Sequence, residues 1–285
     1  MKASPVPFTD NHMHLDPGKG LGLEAVKRFK RSGGRRIFLV CKTTRDWGLE
    51  GHRDAFQELY SRTIRLAGEV EKRAGVTAYP VVGVHPVEVV WMCRSLSAEE
   101  AVAIAQKALE RAGEHVSEGE AAAIGEVGRP HFEVTDEEAR VCEEVLRHAF
   151  EVAAEVECSL QIHASGGGDL FRDLRDHARR VGMTPQRVIK HFSEPRIREA
   201  EEAGVYPSVI ASRDNVALAL DEGKRFLMES DYIDDLRRPG AVVGPRSVPR
   251  VCQRLLEEGL LEEEDLWRIH QDNLEEAYGI PLDPD

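Results

Sequence analysis

The chain has 285 residues, 41% of them hydrophobic, which suits one large α/β domain or two small ones around a substantial core. Its formal charge of −13 excludes a general nucleic-acid coat protein, because phosphate binding takes a positive surface. It leaves room for a nuclease, in which bound metal and a few arginines supply local positive potential.

The first segment, Phe8–His14, is predicted as a strand that ends in His12 and His14. Side chains on a strand repeat every two residues, so both imidazoles point to one side. Two neutral imidazoles aimed at one point make half a site for a divalent cation; a lone H-x-H is also compatible with two unrelated strand histidines. A helical pattern at Leu23–Arg31 and the Gly33-Gly34 break lead to a second strand, Arg36–Thr43. The helix Arg53–Arg73 and Gly75 lead to a third strand, Val76–His85, and the helix Ala98–Glu114 to a fourth, Ala122–Val127. Asp136–Glu157 reads as a helix before the strand Ser159–Ala164, and Gly168–Val181 as a helix before the strand Arg187–Phe192. Gly204 precedes the strand Val205–Ser212, and the helix Asn215–Gly223 precedes the strand Arg225–Asp231. Helices Ser247–Glu258 and Glu262–Tyr278 close the chain. Alternating β and α segments mean a parallel sheet with right-handed crossovers. Eight such units in roughly 250 residues predict a closed (β/α)8 TIM barrel, a single domain over 1–285 with an additional C-terminal helix.

Reactive residues of such a barrel sit at the C-terminal ends of its strands. His12 and His14 end the first strand, Glu126 the fourth, His163 the fifth, His191 the sixth and Asp231 the eighth. These six candidates therefore face one mouth. The mixed His/carboxylate set suits Zn²⁺, Mn²⁺ or Fe²⁺ better than Ca²⁺, and a carboxylate such as Glu126 can bridge two cations about 3.5–4 Å apart. Each has a structural alternative: a salt bridge for Glu126, a satisfied core position for His163 and His191, a cap for Asp231. Lys42 and Arg45 after strand two, Arg129 after strand four and Arg213 after strand seven should face the same mouth. In so acidic a protein they predict an anionic substrate, against the alternative of surface ion pairs. Arg246, in the loop after strand eight, is a further candidate.

Smaller features complete the reading. Asp10 is either a strand residue or an acceptor that orients a histidine. Gly166-Gly167-Gly168 is either an anion-cradling loop or a plain turn. His131 reads as a solvated or structural histidine that lies close to the mouth, where the aromatic candidates are Trp47, Phe132 and Phe192. Five cysteines without C-x-x-C spacing, Cys41 among them as a small buried hydrophobe, fit a reduced cytoplasmic compartment. Met1–Asp10 lacks the basic start and apolar run of a signal peptide, and no stretch approaches the roughly 18 apolar residues of a membrane helix. A soluble cytoplasmic protein without a membrane partner is expected.

The motif Asp10-Asn11-His12-Met13-His14-Leu15-Asp16 resembles the opening signature of TatD-type metal-dependent hydrolases, (β/α)8 members of the amidohydrolase superfamily. The resemblance continues through Gly83-Val84-His85-Pro86, Ala123-Ile124-Gly125-Glu126-Val127-Gly128 and Gln161-Ile162-His163-Ala164-Ser165. Lys190-His191-Phe192, Met228-Glu229-Ser230-Asp231 and Gln271-Asp272-Asn273-Leu274-Glu275 follow in the family's order. It implies two divalent ions (Zn, Mn or Mg), one held by His12, His14 and Asp231, the other by His163 and His191, with Glu126 bridging them. It implies hydrolysis by activated water, with Asp231 as general base and then acid, and with His85 beside the ions or against the substrate rather than ligating.

The family usually follows its bridging glutamate with Gly-Leu-Asp-Tyr and its eighth strand with Ala-Pro-Tyr. Here Gly128-Arg129-Pro130-His131 and Tyr232-Ile233-Asp234-Asp235 stand instead, so the metal chemistry carries over better than the substrate. The leading expectation is a binuclear phosphoesterase or nuclease acting on an anionic small molecule or a single-stranded nucleic acid. A lactonase, esterase or cyclic amidohydrolase on the same ions is the alternative, and a non-catalytic, metal-stabilised binding protein a third.

Overall fold

Every strand runs parallel to its neighbours, in the order β8-β7-β6-β5-β4-β3-β2-β1-β9. The computed structural model describes residues 6–52 and 54–282. Arg53, the expected start of the second helix, and the first five residues of the segment weighed as a leader lie outside the described residues. The strands are β1 Phe8–His14, β2 Gly34–Val40, β3 Thr77–Val82, β4 Ala123–Gly128, β5 Ser159–His163, β6 Val188–Ser193, β7 Tyr206–Ile210, β8 Leu227–Glu229 and β9 Tyr232–Ile233. Between and after them lie α1 Leu23–Arg31, α2 Ala55–Ala74, α3 Pro86–Cys93, α4 Ala98–Ser117, α5 Asp136–Glu155, α6 Leu170–Arg180, α7 Ile197–Ala203 and α8 Arg213–Glu222. Helices α9 Ser247–Glu257, α10 Glu263–Trp267 and α11 Asn273–Tyr278 end the described chain.

The α/β alternation expected from the sequence is present, but the closed eight-stranded barrel is corrected to a curled, TIM-barrel-like sheet of nine strands. No ladder joins β8 to β1. Asp231 takes a left-handed backbone (φ 45°), which stops β8, and the chain resumes as β9 to pair with β1 at Met13–Tyr232 and His14–Ile233. Only Ser230 and Asp231 separate β8 from β9, so one short segment flanks both edges of the sheet. Polar groups pin this seam. Asp10 Oδ1 accepts from the backbone N–H of Ser230 (2.9 Å). The buried Asp234 carboxylate accepts from the backbone N–H groups of Asp16 (2.9 Å), Leu21 (2.6 Å) and Gly22 (2.8 Å) and from the Tyr232 hydroxyl (2.9 Å). Gly20 makes that approach possible, since a Cβ there would lie 2.2 Å from the Asp234 carboxyl.

The longer helices follow their amphipathic patterns and caps. Ser97 with Glu100 and Thr135 with Glu138 form reciprocal capping boxes at the starts of α4 and α5, worth about 1 kcal/mol each. Two short helices, α3 and α7, are absent from the sequence reading. Helix α3 (Pro86–Cys93) is apolar but for Glu88, so its periodicity does not separate it from the end of a buried strand. The expected final helix is interrupted by a π-helical turn over Arg268–Asp272. That turn presents the His270 carbonyl and the Gln271 side chain to the buried Arg36 guanidinium (2.6 Å each), and His270 Nδ1 to the backbone N–H of Thr9 (3.2 Å). Tyr278 of α11 stacks on Phe38 at 3.9 Å and reaches inside the curl. Among the described residues no helix is long and apolar enough to cross a membrane.

Candidate metal centre

β1 brings the first two histidines together. An irregularity in its pairing with β2 falls between Asp10 and Met13, and beyond it both rings turn inward, with their Nε2 atoms 3.1 Å apart. Two nitrogens this close cannot both carry hydrogen. His12 Nδ1 meets Gln161 Oε1 at 2.8 Å and His14 Nδ1 meets the Val40 carbonyl at 3.1 Å. Both partners only accept, so each neutral ring places its hydrogen on Nδ1 and its lone pair on Nε2, facing the other lone pair.

Carboxylate oxygens complete the cage. Glu126 Oε2 lies 3.5 Å and 3.4 Å from the two Nε2 atoms, and Asp231 Oδ1 lies 3.7 Å from each. A tetrahedral ion with ligands at about 2.1 Å has ligand–ligand edges of about 3.4 Å. The two nitrogens and Glu126 Oε2 lie at about that spacing and fit three ligands of a divalent cation, with Asp231 bordering both nitrogens. The other oxygen of Glu126 faces a second group. Oε1 lies 2.9 Å from His163 Nδ1 and 2.8 Å from His191 Nε2, and these nitrogens are 3.0 Å apart. His191 Nδ1 faces Glu229 Oε1 at 3.2 Å, so the neutral ring carries its hydrogen there and its lone pair on Nε2. The Glu126 carboxylate is thus divided between two histidine pairs, the arrangement of a bridging ligand.

The proton affinities follow from this crowding. Burial opposes a charge on Glu126, but the rings of His191, His12 and His85 outweigh it and hold the carboxyl well below its ordinary value. Burial likewise disfavours charge on His191, yet the Glu126 and Glu229 carboxylates raise its pKa to about 10. His14 is raised in the same way by Glu126 and Asp231 against its burial, while burial dominates at His163 and lowers it. Asp231 is raised by burial. A cation is the other way to satisfy so many inward-facing bases.

His85 belongs to the same cluster in a different role. It caps α3, with Nδ1 accepting from the backbone N–H of Val87 at 3.0 Å. Burial depresses its pKa to about 3. The neutral ring therefore carries its hydrogen on Nε2, which faces Glu126 Oε1 at 3.9 Å as a donor.

The four strand-end cations are engaged elsewhere. Lys42 pairs with the buried Asp16 (2.9 Å). Arg45 pairs with Glu50 (2.5 Å) and lies 3.8 Å over Trp91. Arg129 is clamped by Glu143 (2.8 Å) and Asp173 (2.7 Å), and Arg213 by Glu258 (2.9 Å) and Asp214 (3.2 Å). An acidic chain supplies a carboxylate to each, which the motif spacing does not reveal. Arg246 stands at the start of α9. The Gly166–Gly168 turn is bordered by carboxylates: a Cβ on Gly166 would meet Glu194 at 2.8 Å, and Asp169 stands at the start of α6. Asp10 binds the backbone N–H of His12 (3.3 Å) and not its ring.

Two side chains that complete the cluster, Gln161 and Glu229, are absent from the candidate set, and a third, His131, is marked in the sequence only by its nearness to the mouth. Gln161 and Glu229 lie two residues before His163 and Asp231, so a polar residue at the inward position of a buried strand is the signal that marks them. His131 Nδ1 lies 2.7 Å from His163 Nε2. Of the aromatic candidates, Phe132 and Phe192 are 37% and 50% exposed beside His131 and His191, whereas Trp47 packs into the core.

The sequence model of the family described as "TatD related DNase" matches residues 9–279. The uncharacterized protein MJ1127 of Methanocaldococcus jannaschii is 38% identical over 281 residues, covering 98% of either chain. The crystal structure of YJJV, a TatD homolog from Escherichia coli, is similar with a TM-score of 0.67 and 19% identity, over 97% of this chain and 100% of that one. The phosphotriesterase homology protein of Escherichia coli, crystallised with phosphate in its active site, is similar with a TM-score of 0.62 and 14% identity, over 96% and 99%.

Proposed function

Because the chain belongs to the TatD-related DNase family and shares its character as a metal-dependent hydrolase, we propose that it hydrolyses a phosphoester at a binuclear centre. The observation that carries this reading is the division of Glu126 between His12 with His14 on one side and His163 with His191 on the other. His12, His14 and Asp231 would hold one divalent ion, and His163 and His191 the other. Such ions supply Lewis acidity that activates water and polarises the scissile bond. The protein's own groups do the rest. Asp231 accepts a proton from the attacking water and returns it to the leaving oxygen, a role suited to a carboxyl whose burial raises its basicity. His85 donates its Nε2 hydrogen to an oxygen of the substrate, because its Nδ1 is occupied by Val87.

The substrate class is argued from what surrounds the centre. The phosphate in the active site of the Escherichia coli phosphotriesterase homology protein is the kind of ligand this reading calls for. The exposed Phe132 and Phe192 flank the histidines and offer faces on which planar bases can stack. They favour a nucleotide ester, in a single strand or a small molecule, over a lactone or cyclic amide. The test is a panel of a phosphodiester, a single-stranded oligonucleotide, a lactone and a cyclic amide, assayed with Mn²⁺ and with Zn²⁺. Cleavage of the phosphoesters, lost in Glu126→Gln and Asp231→Asn, is expected. Turnover confined to the lactone or amide overturns the substrate, and failure to retain ions at micromolar supply overturns the centre.

A further inference from the structure

His163 stands apart from the other inward-facing histidines. His12, His14 and His191 turn Nδ1 to a buried acceptor and Nε2 to the centre. His163 is reversed. Its Nδ1 faces Glu126 Oε1 and His191 Nε2, and its Nε2 meets Nδ1 of His131 at 2.7 Å. The other rings are oriented by an amide, a carbonyl or a carboxylate within the sheet, but this one is oriented by an exposed imidazole in the loop after β4.

That loop is fastened where it needs to be. Gly128 lies so close to β5 that a Cβ would fall 2.0 Å from the His163 carbonyl oxygen. The next residue, Arg129, donates its backbone N–H to the same carbonyl at 2.8 Å. The Arg129 guanidinium is held by Glu143 of α5 and Asp173 of α6, and Pro130 restricts the backbone one residue further on. His131 is thereby held above His163, with Phe132 edge-on to it at 5.6 Å.

We infer that His131 is a positioning residue for the metal site on the His163 side. Its Nδ1 accepts the Nε2 hydrogen of His163, which fixes the tautomer that aims the Nδ1 lone pair at Glu126 and His191. The inference rests on the reading of Glu126, His163 and His191 as ligands of one ion. It goes beyond that reading by assigning the loop residue that keeps one ligand in register. Without His131, the ring of His163 meets water at Nε2, and both its rotation and its tautomer are released. The ion between His12, His14 and Asp231 is not affected, because those rings are fixed by Gln161 and Val40.

The experiment is a titration of the metal-free full chain with Zn²⁺, by calorimetry with chelator competition, for the wild type, His131→Ala and His131→Asn. Asparagine offers an amide oxygen near the place of the lost Nδ1. The wild type is expected to show two binding steps. His131→Ala should weaken one of them about 10–100-fold and leave the other within about twofold, and His131→Asn should recover most of the loss. Melting curves of the metal-free forms check that each variant is folded. Two unchanged steps in His131→Ala, equal weakening of both, or an asparagine variant no better than alanine overturns the role of His131 alone. A wild type that binds no ion overturns the metal centre and this role with it.

Discussion

The backbone N–H of Val87 donates to Nδ1 of His85 across 3.0 Å, so one ring both caps a helix and offers its remaining hydrogen to the centre. The two duties separate by mutation. His85→Asn keeps a capping side chain and should hold the melting temperature, whereas His85→Ala loses about 1 kcal/mol of cap. Both should lower kcat by about 10²–10³-fold, since neither presents a donor at the Nε2 position, while metal content stays at the wild-type level. Paired melting curves and rate measurements check this, and metal loss in His85→Asn would make His85 a ligand.

Asp231→Asn tests the proton carrier. Activity should fall by about 10²–10⁴-fold. The metal-free fold should melt no lower than the wild type, because the substitution removes one of the carboxylates crowded around His12 and His14. A melting temperature that collapses with an unchanged rate would instead assign Asp231 to structure.

Tyr278→Phe probes the polar network beneath His12. The Tyr278 hydroxyl accepts from Gln161 Nε2 (2.5 Å) and donates to Asn11 Oδ1 (2.7 Å), and Asn11 Nδ2 continues to Ser208 Oγ (3.0 Å). Deleting the hydroxyl leaves buried groups underpaired, so a loss of about 1–3 kcal/mol is expected in denaturant unfolding. A neutral result would show that the network carries no net stability.

A pH prediction comes from Glu88, whose carboxyl is raised to about 7 by burial. Its Oε1 accepts from the backbone N–H and the hydroxyl of Thr44, and its Oε2 has no hydrogen-bond partner. Between its unfolded pKa of 4.5 and about 7, the folded state holds a proton that the unfolded state has released. The stabilising contribution is therefore full below the unfolded value and is lost as pH rises through about 7. Relative to Glu88→Gln, the wild type should lose about 1–3 kcal/mol between about pH 5 and about pH 8. Parallel pH profiles would contradict the assignment.

Ion binding should register as stability. A cation present at about 100 times its Kd adds about 2.7 kcal/mol, enough to raise the melting midpoint by about 5–10 °C. Adding chelator should reverse the gain, and Glu126→Gln should abolish most of it, since that carboxylate serves both halves of the cluster. A midpoint indifferent to Zn²⁺ would argue against a preformed centre.

The convergence of the inward-facing groups was legible because each lies in, or just beyond, the C-terminal half of its strand. β1 has the expected bounds, Phe8–His14, and His163 ends β5, whereas Glu126 and His191 stand two residues before the ends of β4 and β6 and Asp231 two residues beyond β8. The seam was not legible, because the break at Ser230–Asp231 depends on a backbone conformation that any short polar stretch could carry. Nor were the fates of Lys42, Arg45, Arg129 and Arg213: sequence position places a cation near a mouth, but the carboxylates that claim it come from other helices and loops or, for Arg45, from Glu50 of its own loop. His131 was visible as a neighbour of the mouth, but its pairing with His163 depends on Gly128 and the Arg129 clamp, which only the folded chain assembles.

The seam also sets an order of events in biosynthesis. His12 and His14 are synthesised more than two hundred residues before Asp231 and the β9 pairing that encloses them. The nascent chain must keep β1 available until β9 arrives. The cup that these side chains line is thus completed only once β9 has been made.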